Sequence, residues 1–592
     1  MDAHRSTDSK AVLRKAEIVM APERLGAMHQ SRISFVRSLI RKMAQQQWRV
    51  TKHEWQLCPQ GFGHVIYKLV TPEHVYHLVV FCDQIADSER NDRVIAEKWD
   101  VTFALVYGDV DIPLLEQLRA NVPLQEAGRN PNKVLVLARA NKSVRVFEHI
   151  VSRLAQGIQP DPQELAEVGY ILRTTAVYGN GKFGIADFKL LENNADFSQS
   201  FSAQMCAVYL IREFSLDWVH YLAEQQGGAQ AVTLHRGLQR YLGVGNATGL
   251  GMAPYLINHP CVVDQWMTTR ERAISQVLSM PCEMGYYAPL YDLLAKAQSH
   301  LQQVITINPA QNQLNLRAID ELAQLNRQLD DYLQHCPTWR ELVEQTATLS
   351  LETQEMLLSS LIELYPELVD DFAEQMNCDE TLSLANGKKA ADLLALLEEK
   401  YRWAIDADFT QAENNYWFWY RSQDKEEPRM GVRGEEAGEE RELPLDIGRQ
   451  VNRLYHALST HSVETTLAEF LLREPKYRAI ARRVWTLGNK EMGDIQMNVL
   501  REDALPMHLL RCKLAIFGAT KFDPRSDRWV RVTFFQGSPL LDEIQDPSYQ
   551  DNWIFPLLPN DVYFNEAYFD DQNAANCDVT QGEGGQHDDR FA

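Results

Sequence analysis

From Ser198 to about Arg402 one pattern dominates: apolar residues recur every three or four positions. Three examples are "AQMCAVYLIREFSLDWVHYLAEQ", "CVVDQWMTTRERAISQVLS" and "NQLNLRAIDELAQLNRQLDDYLQ". Short polar connections separate such stretches. That spacing suits helices that bury one stripe against each other, and it leaves little room for a sheet in this part of the chain. The strands must come from elsewhere.

They are expected upstream. From Arg32, Ile33, Val36, Ile40 and Met43 fall at helical spacing. Then "GHVIYKLVTPEHVYHLVVF" reads as two β runs around a Thr-Pro-Glu-His turn, an antiparallel hairpin. "VTFALVYG" and "NKVLVLA" are two more buried-strand candidates, each followed by a helical pattern. Near the other end, "RWVRVTFFQGSPLLDEI" suggests a strand and a turn.

The fold class is therefore α+β: an N-terminal mixed α/β module, a large mainly helical domain and a smaller C-terminal mixed segment. At 592 residues one core is not expected. The expected divisions are a flexible N-terminus (1–28), an α+β module (29–190), the helical domain (191–421), an acidic linker or long loop (422–446), a C-terminal α+β segment (447–569) and a disordered acidic tail (570–592).

The net charge of -22 argues for solubility and against broad attraction to nucleic acid or acidic membranes. The nine cysteines form no C-x-x-C pair, so a disulfide framework or zinc knuckle is disfavoured and a reducing cytoplasm expected. No apolar run is long enough to span a membrane. Basic residues exceed acidic ones between Arg473 and Arg531, with Trp485, Phe522 and Trp529 interleaved. Docking against the acidic 424–446 segment or the tail fits that excess better than RNA. The consecutive rings Tyr416 to Tyr420 cannot share one helix face, and a domain interface is the expected use.

Familiar site motifs are missing. There is no H-x-x-x-H, H-E-x-x-H, G-x-S-x-G or Walker A, and no metal or cofactor is expected. His74 and His77 of "HVYH" would point to opposite faces of a strand. "YLGVGNATGLGMAPYLINHP" has too many glycines to ignore, but its spacing is wrong for G-x-G-x-x-G and a helical pattern precedes it. Two readings stay open. It is a helix C-cap at Gly243 and a packed turn leading to a helix near Pro260, or its backbone N–H groups hold an anion.

Three stretches gather the polar residues that suit ligand contact: 139–145, 173–184 and 243–259. The candidate contacts are Arg139, Asn141, Arg173, Tyr178, Asn180, Lys182, Asn246, Thr248, Gly249, Gly251 and Asn258. Arginine can grip a carboxylate or phosphate through two parallel hydrogen bonds. His259, or else His235, is the candidate for moving a proton. The leading expectation is a cytoplasmic enzyme, reaction class open, that binds an anionic small molecule without a metal. The alternative is a non-enzymatic binding or scaffold protein that uses its helical domain for protein contacts.

Overall fold

The computed structural model describes residues 12–85, 98–123, 131–174, 194–249, 260–303, 309–374, 376, 387–411, 418–422, 428–431, 442–444, 447–496, 508–524 and 529–553. Its strands are β1 Arg49–Leu57, β2 Gly63–Val70, β3 Val75–Cys82, β4 Val101–Tyr107, β5 Val134–Lys142, β6 Tyr170–Thr174, β7 Gly243–Gly249, β8 Phe418–Ser422, β9 Pro428–Gly431, β10 Glu442–Pro444, β11 Ala519–Pro524 and β12 Trp529–Phe534. The principal helices are α1 Pro22–Ala27, α2 Phe35–Gln45, α3 Ile112–Asn121, α4 Val146–Ala155, α5 Ser202–Gly227, α6 Pro260–Ser279, α7 Tyr287–Gln303, α8 Pro309–His335, α9 Leu351–Glu363, α10 Pro366–Glu374 and α11 His508–Phe517.

Nine strands form one sheet in the order β1-β2-β3-β4-β5-β6-β7-β12-β11. The hairpin read from "GHVIYKLVTPEHVYHLVVF" is β2–β3, antiparallel, with Gly63 opposite Cys82 and Val70 opposite Val75. Apart from His77, the β3 side chains are mostly apolar on both faces because both faces are covered. Leu78 and Val80 join the main core. Val79 and Phe81 join a smaller core with Leu114 and Leu118 of α3. Among the described residues, every neighbouring pair in this sheet is antiparallel except β6–β7.

Helix α5 lies along β5, β6 and β7. Its 26 residues are buried around most of the circumference, from Met205 and Val208 to Leu222. It also buries Arg212. That guanidinium donates to the carbonyls of Gln239 (3.0 Å), Leu242 (2.9 Å), Ser538 (3.2 Å) and Pro539 (3.2 Å). One cation thereby satisfies backbone acceptors just before β7 and just after β12, and anchors the middle of the sheet.

The sheet draws on residues 49–174, 243–249 and 519–534 together. Segments far apart in sequence thus share one layer. Residues 12–28, expected to be loose, are packed: Val19, Met20 and Leu25 have no exposed surface. The reason is charge pairing. Arg14 bonds Glu271 (2.6 Å) and Glu355 (2.8 Å), and Arg24 bonds Glu355 (2.6 Å). In α2, Ile33 just ahead of the helix and Val36, Ile40 and Met43 within it are buried as their spacing predicts, but so are Arg37 and Arg41 on the remaining face. Arg37 pairs with Glu363 (2.9 Å) and Asp551 (3.0 Å), Arg41 with Asp551 (2.7 Å), and Arg32 with Asp370 (2.7 Å).

Two further expectations are corrected. The stretch Gly243–Gly249 is not a helix-to-helix turn but β7, a central strand between β6 and β12. Small side chains permit close approach of its neighbours, and that context overrides poor strand propensity. The region 422–446, expected as an acidic linker or long loop, contains strands: β10, β8 and β9 pair as a small sheet within 418–444. Within the basic stretch, Arg483 pairs with Asp494, Arg511 with Glu352, and Lys521 and Arg531 bond backbone carbonyls; the acidic side chains expected to dock against it lie outside the described residues. The expected disordered tail lies outside the described residues.

Candidate functional site

The three polar stretches singled out from the sequence meet the sheet on three adjacent strands. Asn141 on β5 lies opposite Arg173 on β6, and Arg173 lies opposite Gly245 on β7. Cross-strand partners share a face, so these positions form one row. The 139–145 stretch is largely strand, not a loop after a strand: β5 continues through Lys142.

Side-chain bonds lock this row. The Thr174 hydroxyl donates to the Arg139 carbonyl at 3.1 Å. The Asn246 amide donates to the Thr174 carbonyl at 2.7 Å. The Asn141 side-chain oxygen accepts from the Asp100 N–H at 3.2 Å, and the Asp100 carboxylate accepts from the Lys142 N–H at 3.0 Å. Asn246 is buried, so its role is to satisfy a carbonyl at the end of β6. The Arg139 guanidinium stacks over the Trp99 ring, 4.3 Å from its centroid.

Arg173 is different. It is half-buried, and its side chain makes no hydrogen bond or ion pair to any described residue. A guanidinium held on a central strand, with its donors unused among the described residues, is suited to an incoming anion. Further across the sheet, Arg531 lies opposite Ala247 and adds a second cation, its guanidinium bonded to the Glu167 carbonyl at 2.6 Å.

The glycines now have a specific job. A β-carbon on Gly245 would lie 2.3–2.4 Å from ring atoms of Tyr170, and one on Gly243 would lie 2.3 Å from the Phe534 carbonyl oxygen. Both keep room for neighbours to pack directly on the strand. The register shift between Tyr170 and Arg173 accompanies this close ring packing.

β6 and β7 are parallel, and the sites of open sheets gather beyond the carboxyl ends of parallel strands where connections diverge. The chain leaving β6 carries Tyr178, Asn180 and Lys182, and the chain leaving β7 carries Gly251, Asn258 and His259. All six lie outside the described residues. So do the side chain of Thr248 and that of every other β7 residue beyond Asn246.

His235 lies elsewhere. It caps the short helix Arg236–Tyr241, its Nδ1 accepting from the Gly237 N–H at 3.3 Å. Arg236 of that helix pairs with Asp542 and Glu543 at the surface. Asp100, Thr174 and Tyr170 escaped the sequence reading because only strand register brings them to Arg139, Asn141 and Gly245. Of the "HVYH" pair, His74 bonds Asp196 (2.8 Å) and His77 bonds the Gly108 carbonyl (2.8 Å). Among the described residues no three His, Cys, Asp or Glu side chains group as metal ligands, and no helix is long and apolar enough to cross a membrane.

No family model, no curated protein and no solved structure matches the chain.

Proposed function

We propose that the protein binds an anionic small molecule, a phosphate or a carboxylate, at the row Asn141–Arg173–Gly245, with Arg173 as the principal contact. One observation carries this reading: on the parallel step of the sheet found among the described residues, an arginine without a side-chain partner among them stands between strands that bear Arg139, Asn141, Asn246 and Thr248. A fixed backbone around the guanidinium lowers the ordering cost of binding. Lys182 extends the anion contact in this reading, and His259 keeps the role of proton carrier for an enzyme whose reaction class is open.

Titration calorimetry with organic phosphates and di- and tricarboxylates tests it. Wild type is expected to bind at least one member saturably, and Arg173→Ala to weaken that member about tenfold or more, the scale of one charge-assisted contact. Equal affinity of the two proteins for every member of the set would remove Arg173 from the site.

A further inference from the structure

The row on the sheet is not the only place built for a polar guest. A cavity of about 60 Å³ lies where the segment after α1 meets α7, α8, α11 and β11. Its polar lining includes His29, His300, Gln311, Asn315, Arg511 and Thr520. Arg511 belongs to the basic stretch read from the sequence, the other five were not singled out, and the six meet only in the fold.

Volume limits the guest. A single water needs roughly 10–15 Å³ on this scale, so the space suits a few waters or an ion of about three to five heavy atoms. Chemistry limits it further. Arg511 is buried and bonds Glu352 at 3.3 Å through one N–H; its other N–H groups bond no described residue. The His29 Nε2 is enclosed and also has no hydrogen-bond partner among the described residues. An enclosed polar atom without a partner is costly unless a ligand or water meets it. The Gln311 amide donates to the Asn315 carbonyl oxygen at 2.8 Å, which orients a second amide at the wall.

The electrostatics agree. Loss of water, then the nearby Arg511 and His300, push the His29 pKa well below its usual value; Arg270 adds to this and Glu355 opposes it. Loss of water alone lowers His300 to about 4. Both rings are therefore neutral near pH 7. The interior resists further positive charge, and a negative guest relieves that resistance.

We propose that this cavity is a second binding site, specific for a small carboxylate or oxyanion of three to five heavy atoms held by Arg511, His29 and Asn315. None of its lining residues belongs to the row on the sheet, and Arg511 separates it from Arg173.

The test uses the full chain and three probes: acetate, bicarbonate and inorganic phosphate. In wild type, at least one probe is expected to bind saturably and to shift the imidazole proton resonances of His29 and His300, with His235 unmoved. Arg173→Ala is expected to leave this binding unchanged. Asn315→Leu, which fills the space without touching the Arg511–Glu352 pair, is expected to abolish it. Arg511→Lys, which keeps the charge but not the fork of donors, is expected to weaken it about tenfold. The histidine signals need no variant, so a folding defect in Asn315→Leu does not blunt the test. Absence of saturable binding by all three probes at tens of millimolar overturns the proposal. So does binding that leaves both histidine signals in place, or binding lost in Arg173→Ala, which would assign the probe to the sheet.

Discussion

Gly245 shows how much a single position can decide. With no side chain it lets the Tyr170 ring lie directly on β7, and a methyl there would sit 2.3–2.4 Å from three ring carbons. Tyr170 is 6% exposed and has little room to retreat. Gly245→Ala is therefore expected to destabilise the protein by about 1–3 kcal/mol, the usual cost of overpacking a filled interior. Chemical denaturation of the two proteins measures it. An unchanged midpoint would mean that Tyr170 can move aside. The same substitution is expected to weaken anion binding, because Arg173 follows Tyr170 along β6 and shares its register shift.

His300 makes a second case at this scale. Its ordinary pKa of 6.5 falls to about 4 in the fold because it loses water. The unfolded chain then binds the extra proton more readily than the folded one between those values. The contribution to stability is complete above about pH 6.5 and shrinks as pH falls toward 4. Replacing His300 with Gln is expected to flatten the loss of stability between pH 7 and pH 5, read from urea midpoints at each pH. An undiminished slope would assign the acid sensitivity to other groups.

Among the elements, those with a strong period were legible in sequence. α2 was readable from Ile33, Val36, Ile40 and Met43, and the β2–β3 hairpin from two apolar runs around Thr-Pro-Glu-His. β7 was not. Its sequence, Gly-Val-Gly-Asn-Ala-Thr-Gly, has no apolar alternation long enough to announce a strand, and the helical pattern before it suggested a continuation into a turn. What makes it a strand is long-range: β6 on one side, β12 on the other, and Arg212 fixing Leu242 just ahead of it. The candidate site was half legible for the same reason. Arg139, Asn141, Arg173 and Asn246 could be chosen by residue type, but their shared strands could not be inferred, and neither could Asp100 or Thr174 that lock them. The cavity was invisible because its walls meet only in three dimensions.

Across the whole molecule, buried charge joins parts that hydrophobic contact alone would not specify. Three arginines in and beside α2 reach Glu363 at the end of α9, Asp370 in α10 and Asp551 near the end of the described chain. Burial pushes the Asp551 carboxyl up, but Arg37, Arg41 and Arg32 more than offset this and hold it below the usual carboxylate range. Each partner depends on the others, since an unpaired charge in such a place is strongly unfavourable. Arg37→Met is expected to cost about 3–5 kcal/mol, because it leaves Glu363 and Asp551 short of a partner. Calorimetric melting would show a clearly lowered midpoint. A shift within error would mean that Arg32 and Arg41 suffice for both carboxylates.

The central claim is that an anion sits on the sheet at Arg173. The most direct measurement is a crystal structure of the protein grown with the tightest-binding organic phosphate or carboxylate. The anionic group is expected within hydrogen-bond distance of the Arg173 guanidinium, above the β5–β6–β7 row. A well-ordered ligand bound elsewhere, with Arg173 untouched, would contradict it.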